Sequence, residues 1–257
     1  MGKLSVVGIG PGNPAGMTAT AVEVLHEADL VCGYTRYIEL VSEAIGDTET
    51  LATGMTGEVE RCRAALEAAA QGRTVAMVCS GDAGVYGMAS LVYELAGEFP
   101  PVEIRVIPGV TAALSGGALL GAPLSHDFCI ISLSDLLTPW ETIEKRLDAA
   151  AAGDFCIALY NVGSRHRLEH LRRACDILLA RKPADTVCGI ARNIGREGEE
   201  SRTCTLSELR DVEADMGMTV FVGNAETRLV DGKMVTPRGY DVGDLVDTDS
   251  RDGGASS

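Results

Sequence analysis

Leu4-Ser5-Val6-Val7-Gly8-Ile9-Gly10-Pro11-Gly12-Asn13-Pro14 decides the fold. A β-branched run passes straight into three glycines at alternate positions, and glycine there lets the backbone turn sharply and come close to a ligand. A dinucleotide-binding fingerprint would need a third glycine where Asn13 stands, and Pro11 removes an amide that would face a pyrophosphate. Asp29 follows at about the spacing such a site wants. A structural turn and a nicotinamide or flavin loop stay open, but a loop for a ligand without a phosphate fits these residues best.

The same arrangement recurs twice. Thr74 to Cys79 leads into Ser80-Gly81-Asp82-Ala83-Gly84-Val85-Tyr86-Gly87, and Ile104 to Ile107 leads into Pro108-Gly109-Val110-Thr111-Ala112-Ala113. Asp82 reads as a helix N-cap or as a ligand contact, and Thr111 as the cap of the next helix or as part of a site. Three glycine loops at three strand ends point to one crevice at a sheet edge. Further strands are expected at Phe128 to Ile131, Phe155 to Tyr160, Val187 to Ala191 and Thr219 to Val222. Helices are expected at Thr18 to Ala28, Glu58 to Gln71, Tyr86 to Ala96, Thr111 to Leu119, Trp140 to Ala152 and Arg167 to Leu179. This alternation is an α/β protein with a mixed or largely parallel sheet. Gly116 to Pro123 marks a boundary, giving two α/β lobes, residues 1–118 and 119–240, with a ligand cleft between them. Residues 241–257 hold five aspartates and a Gly-Gly-Ala-Ser-Ser end, a composition expected to be a disordered acidic tail.

The 257 residues are 46 % hydrophobic and 23 % charged, ordinary globular usage that excludes a disordered, collagenous or coiled-coil chain. No apolar run is long enough for a membrane span, and Met1-Gly2-Lys3 opens directly into the first strand without a leader pattern, so a cytoplasmic protein is expected. The net charge of −15 and an aromatic content of 4 % argue against nucleic acid as a partner. The cysteines, at 32, 62, 79, 129, 156, 175, 188 and 204, include no close pair of metal-ligand spacing, and Cys79, Cys129, Cys156 and Cys188 sit in apolar runs as core residues. His166 and His170 share a helix face but lack a third ligand; no protein-bound metal is expected.

Taken with Gly33-Tyr34-Thr35-Arg36-Tyr37, His126 to Trp140, Tyr160-Asn161, Ser164-Arg165, Val222-Gly223-Asn224 and Thr236-Pro237-Arg238-Gly239-Tyr240, the three glycine loops resemble the tetrapyrrole (corrin/porphyrin) methylase family. The resemblance runs over about residues 3–240. The stretch Ser134-Asp135-Leu136-Leu137-Thr138-Pro139-Trp140 points to the branch that methylates C17 of precorrin-3B or cobalt-factor III and contracts the ring; a sister enzyme acting on another ring carbon is the alternative. Ala83 stands where many relatives have Pro, and Val162 where Asn-Pro is usual.

The resemblance implies a homodimeric two-lobe enzyme that holds S-adenosylmethionine in the cleft and releases S-adenosylhomocysteine. It assigns Pro11, Gly81, Asp82, Val85, Thr111, Ala112, Tyr160, Asn161, Ala191, Gly223 and Asn224 to the cofactor. Methyl transfer to carbon chiefly requires donor and acceptor to be held in line, and the chain shows no nucleophilic triad. Ring contraction calls for acid–base help; Ser132, Asp135 and His126, with Ser134, are the candidates, and also read as turn and cap residues. The substrate is a polycarboxylate, which arginines bind through two parallel bonds. Arg36, Arg165, Arg192 and Arg238 lie in motif segments, whereas Arg61, Arg63, Arg172 and Arg173 read as solvated helix positions. Cobalt, if present, would arrive inside the substrate. Trp140 is expected to pack its helix end or to stack on the macrocycle.

Overall fold

A computed structural model describes residues 2–54, 56–164 and 167–241. Strands β1 (Lys3–Gly8), β2 (Leu30–Tyr34), β3 (Glu49–Thr53), β4 (Thr74–Cys79) and β5 (Glu103–Ile107) form a first sheet of order β3-β2-β4-β1-β5. Every pairing in it is parallel. Helices α1 (Ala19–His26), α2 (Thr35–Leu40), α3 (Ser42–Ile45), α4 (Glu58–Ala70) and α5 (Ala89–Leu95) connect the strands. The central strands read as unbroken apolar runs because both faces are covered. Val75, Met77 and Cys79 of β4 pack with Cys62 and Leu66 of α4 and Val92 of α5, while Ala76 and Val78 pack on the other face with Ala21 and Leu25 of α1. Edge strand β3 escapes the sequence reading because Glu49, Thr50 and Ala52 are exposed and no apolar pattern marks it.

The chain passes to a second sheet through α6 (Ala112–Leu120), followed by β6 (Gly121–Ala122), β7 (Phe128–Ser132), α7 (Trp140–Ala152), β8 (Cys156–Tyr160), α8 (His170–Leu179), β9 (Val187–Arg192), β10 (Glu200–Thr205), α9 (Leu206–Leu209) and β11 (Met218–Val222). The second sheet has the order β10-β9-β11-β8-β7. Only β7 and β8 pair in parallel; the other three pairings are antiparallel. Strands β12 (Arg228–Val230) and β13 (Lys233–Val235) join β6 in a small third sheet. One face of the second sheet buries Ile143, Leu147, Leu171 and Leu178 from α7 and α8 against Ile157, Leu159, Ile190 and Val220. The other face takes α6, whose Ala113 and Leu120 pack with Ala158, Ala191 and Phe221. Helix α6 therefore runs through residues 118 and 119, where the sequence reading divides the lobes, and the passage between sheets falls ahead of it at Pro108–Thr111. The acidic tail lies outside the described residues.

Strand direction decides which residues reach the cleft. Because β11 runs antiparallel to β9, Met218 lies opposite Arg192 at one end of the sheet and Val222 opposite Cys188 towards the other. At that second end Lys182 Nζ, with its side chain 3 % exposed, meets Asp154 Oδ1 at 2.7 Å, and the same carboxylate accepts the Ala225 amide. An Asp154→Asn variant leaves a buried ammonium without its counter-charge. It is expected to lose about 3 kcal/mol of stability, read as a lower urea midpoint at an unchanged slope.

Candidate active site

At the C-terminal edge of the first sheet the three glycine loops pack backbone on backbone. Gly10 and Gly81 exchange amide-to-carbonyl hydrogen bonds of 3.0 and 2.8 Å. A Cβ at Gly109 would lie 2.1 Å from the Gly81 carbonyl oxygen, and one at Gly8 would lie 2.7 Å from the Gly109 nitrogen. No other residue type fits at these two positions. Asp82 clamps the arrangement: Oδ2 accepts the Gly109 amide at 2.9 Å and Oδ1 the Gly84 amide at 2.8 Å. It is thus a bracket between loops rather than the cap of α5, which begins only at Ala89. Asn13 turns away from any phosphate role. Its Oδ1 accepts the Gly16 amide at 2.7 Å and its Nδ2 donates to the Gly195 carbonyl at 3.2 Å.

Tyr86 and Arg196 tie the lobes together across this edge, and Tyr160 anchors the start of α6 beside it. Tyr86, at φ 54°, accepts the Ser132 amide at 3.1 Å and donates to the Ile130 carbonyl at 3.2 Å, as a neighbouring strand would on the edge of β7. The Tyr160 hydroxyl shares a 2.7 Å bond with Thr111 Oγ1 and accepts the Ala113 amide, taking the place of a side-chain cap on α6. Burial pushes both phenols above their ordinary pKa. Arg196 reaches across from the second lobe, with Nε donating to the Pro11 carbonyl at 3.2 Å and Nη2 to Ser80 Oγ at 3.0 Å. Burial lowers its guanidinium pKa, the charge being partly removed from water.

Two adjoining cavities flank Arg196. The smaller, about 170 Å³, is lined by Pro11, Gly81, Ala112, Ser115, Ile194 and Thr219, among others. The larger, about 350 Å³, is lined by Tyr34, Arg36, Arg61, Val78, Cys79 and Met88, among others. Tyr37, Ser80, Asn193, Arg196, Met216 and Gly217 line both. Burial pushes the Cys79 thiol up to about 11, so it stands there as an inert apolar group.

Of the residues that the resemblance assigns to the cofactor, the structure brings Pro11, Gly81 and Ala112 to the smaller cavity. Thr111 and Tyr160 stand behind Ala112, bonded to each other. Asp82 and Val85 belong to the loop that carries Gly81, but line neither cavity. Ala191 is sealed under α6, where a Cβ at Gly116 would lie 3.1 Å from its own. Gly223 and Asn224 do not join this group. They follow β11 at the sheet end opposite Arg192 and Met218, and Asn224 Oδ1 serves the turn through the Thr227 hydroxyl. The antiparallel direction of β11, which local sequence does not reveal, puts Met216 to Thr219 at the cleft instead.

The acid–base candidates separate. Ser132 Oγ accepts Asn161 Nδ2 at 2.8 Å and the Ser134 amide at 3.2 Å at the cleft end of β7. Asp135 is 3.0 Å from Nε2 of His170, and the imidazole beside it holds its carboxyl below the usual range. His170 is buried, not a surface residue, and makes an edge contact with Trp140 at 5.0 Å, while Arg173 lies 4.2 Å over the indole; Trp140 therefore packs its helix end. His126 precedes β7, at the end of the strand away from Ser132, and its Nδ1 accepts the adjacent Asp127 amide. Among the described residues no group of three or more His, Cys, Asp or Glu is placed to hold a metal; His166 lies outside them.

The arginines divide in the same way. Arg36 lines the larger cavity. Arg192 is held by Asp215 at 2.8 Å and Glu200 at 3.0 Å. Arg238 follows β13 beside the C-terminal end of α6 and lines neither cavity, and Arg165 lies outside the described residues. Arg61, read from the sequence as solvated, is buried and lines the larger cavity. Its signal was available: Arg61, Ala65 and Ala69 share the i, i+4 face that α4 buries. Arg196, in the Gly195-Arg196-Glu197-Gly198 turn, carried no such signal.

The Tetrapyrrole (Corrin/Porphyrin) Methylases family matches residues 3–210. The chain is 52 % identical, over 92 % of its own length and 99 % of the relative's, to a probable cobalt-factor III C(17)-methyltransferase of Salmonella typhimurium. The crystal structure of the methyltransferase CobJ superposes with a TM-score of 0.86 at 39 % identity, covering 92 % of this chain and all of that one. A uroporphyrin-III C-methyl transferase from Thermus thermophilus, complexed with S-adenyl homocysteine, shares the fold at a TM-score of 0.68 and 21 % identity, over 86 % of this chain and 97 % of that one.

An Asp82→Asn variant keeps one acceptor oxygen and turns an NH2 group towards the other amide. The unsatisfied donor is expected to destabilise the protein by about 1–3 kcal/mol, measured by urea unfolding, with a matching loosening of the Gly81 loop in amide exchange.

Proposed function

We propose that this chain, which belongs to the tetrapyrrole (corrin/porphyrin) methylase family, methylates C17 of cobalt-factor III or precorrin-3B and contracts the ring in cobalamin synthesis. The observation that carries the reading is the pair of adjoining cavities. Arg196 borders both; the smaller adds glycine, alanine, hydroxyl and apolar groups, and the larger adds Arg36 and Arg61, in a protein of net charge −15. The identity to the Salmonella relative along nearly its whole length favours the C17 target over another ring carbon.

S-adenosylmethionine fits the smaller cavity: Gly81, Ala112 and Gly217 let a ligand approach the main chain, Ile194, Met216 and Met218 offer apolar contact, and Ser115, Thr219 and Asn193 offer hydrogen bonds. When bound, it supplies an electrophilic methyl group on a sulfonium. The glycine lock and the Tyr160 cap hold the walls rigid, which suits a displacement that depends on alignment. Arg36 binds a substrate carboxylate in the larger cavity. Ser132 Oγ already accepts two hydrogen bonds, so its own proton is free to donate; it is the acid we assign to ring contraction, with Asp135 fixing the loop through His170. His126 has no part in this assignment.

The lobe division is drawn ahead of α6, at Pro108–Thr111. The eight cysteines are free, as suits a reducing cytoplasm, and no described helix is long and apolar enough to cross a membrane. The active form is taken as a homodimer. Cobalt enters only with the substrate.

The test is an anaerobic incubation with S-adenosylmethionine and either cobalt-factor III or precorrin-3B, followed by mass spectrometry. A gain of one methyl on one of them is expected and identifies the substrate. No gain with either, while the cofactor still binds, would contradict the C17 target and leave a sister enzyme. An Arg36→Ala variant is expected to raise KM for the tetrapyrrole about tenfold with cofactor affinity unchanged; equal loss of both would contradict its role.

A further inference from the structure

Arg61 lies on the buried face of α4 and is 4 % exposed. Its Nη1 is sealed from solvent and has no hydrogen-bond partner, and among the described residues its side chain forms no ion pair. Two neighbouring arginines are answered: Arg63, two residues along the same helix, pairs through both terminal nitrogens with Glu98, and Arg73 pairs with Glu49. Glu58, one turn before Arg61, lines the same cavity without pairing with it. A guanidinium does not shed its proton in a protein, and a buried charge without a partner strongly opposes folding. A fold that retains one is built for a ligand that returns the opposite charge.

The larger cavity shows which ligand. Arg36, Arg61 and Arg196 line it against the single carboxylate of Glu58, leaving a local excess of two positive charges. Arg196 already spends Nε and Nη2 on Pro11 and Ser80. Arg36 and Arg61 make no such bonds among the described residues. Tyr34 and Tyr37, edge to face at 5.2 Å, with Val78 and Met88, give the cavity an apolar wall beside these charges. An apolar wall bordered by fixed guanidinium groups is complementary to the rim of a macrocycle that bears carboxylate side chains.

We infer that Arg61 is a substrate-binding residue, its guanidinium seating a peripheral carboxylate of the tetrapyrrole acceptor in the larger cavity. The inference rests on the proposed function for the identity of the acceptor, but its test does not depend on turnover. The probes are cobalt-factor III for kinetics and uroporphyrin III, a tetrapyrrole polycarboxylate, for binding by absorbance titration. The variants are Arg61→Met, Arg61→Lys and, as a control, Arg63→Met.

Arg61→Met is expected to raise KM for cobalt-factor III and Kd for uroporphyrin III at least tenfold. The Kd for S-adenosylmethionine should stay within twofold, and the thermal midpoint of the free protein should not fall, because the residue removed has no partner there. Arg61→Lys, which keeps the charge but not the fork, should fall between wild type and Met, and Arg63→Met should match wild type in both affinities. Unchanged tetrapyrrole affinity in Arg61→Met would overturn the inference, as would a lowered thermal midpoint with both affinities reduced in parallel. Should Arg61→Met fail to fold, Arg61→Lys decides by the same ratio of tetrapyrrole to cofactor affinity. If wild type methylates neither candidate substrate, the C17 reading falls, while the uroporphyrin III titration still decides the role of Arg61.

Discussion

Backbone meets backbone where Gly8, Gly81 and Gly109 converge, and the rest of the cleft depends on that approach. The three residues follow β1, β4 and β5, which the sheet places side by side. With a Cβ at Gly109 only 2.1 Å from the Gly81 oxygen, the loops could not close as they do around a larger residue. Once closed, they place the Asp82 carboxylate between two amides and send Tyr86 out to the edge of β7. A left-handed residue as large as Tyr86 is costly, and the two bonds it makes on the second lobe supply the compensation. The smaller cavity is thus bordered at Gly81 by main chain, whose position side-chain rotamers cannot alter.

Charge in this molecule is distributed by commitment rather than by count. Several basic side chains are spent on local carboxylates: Arg181 on Asp148, Arg210 on Asp176, Arg192 on both Asp215 and Glu200. Such exposed pairs contribute little to stability, but they remove those cations from any part in recognition. Arg36, Arg61 and Arg196, which have no such carboxylate among the described residues, line one cavity together. In a protein of net charge −15 that cluster sets the site apart from its surroundings for a polyanion.

The first lobe was legible because its signals are local. A β-branched run ending in glycine states both the strand and the end at which a ligand sits, and three such runs in one α/β chain fix a shared edge. Helices α1, α4, α6, α7 and α8 followed from apolar spacing to within a few residues. The misplacements have a common cause in three-dimensional direction. Gly223 and Asn224 end a strand as plainly as Gly8 does, yet β11 runs antiparallel, so its C-terminal end points away from the cleft. Arg61 was misread for the opposite reason. Its helical face was readable, but an arginine among exposed charges suggests solvent until burial is seen. Strand β3, with only Leu51 packed on the core among exposed neighbours, and Arg196, in an irregular turn, left nothing periodic to read.

The two steps assigned to this enzyme place different demands on the fold, and the two lobes meet them differently. Transfer of a methyl group between two bound partners needs little from side-chain chemistry, and the first lobe supplies rigid main chain along the smaller cavity. Contraction of a ring needs a proton placed at a chosen atom. The group we assign to that task is Ser132, at the cleft end of β7, whose Oγ accepts from Asn161 and Ser134 and so keeps its own O–H for donation. Tyr86 bonds the amide of the same serine. The loop that frames the methyl-donor side therefore also fixes the residue assigned to proton delivery, and the two steps share one scaffold.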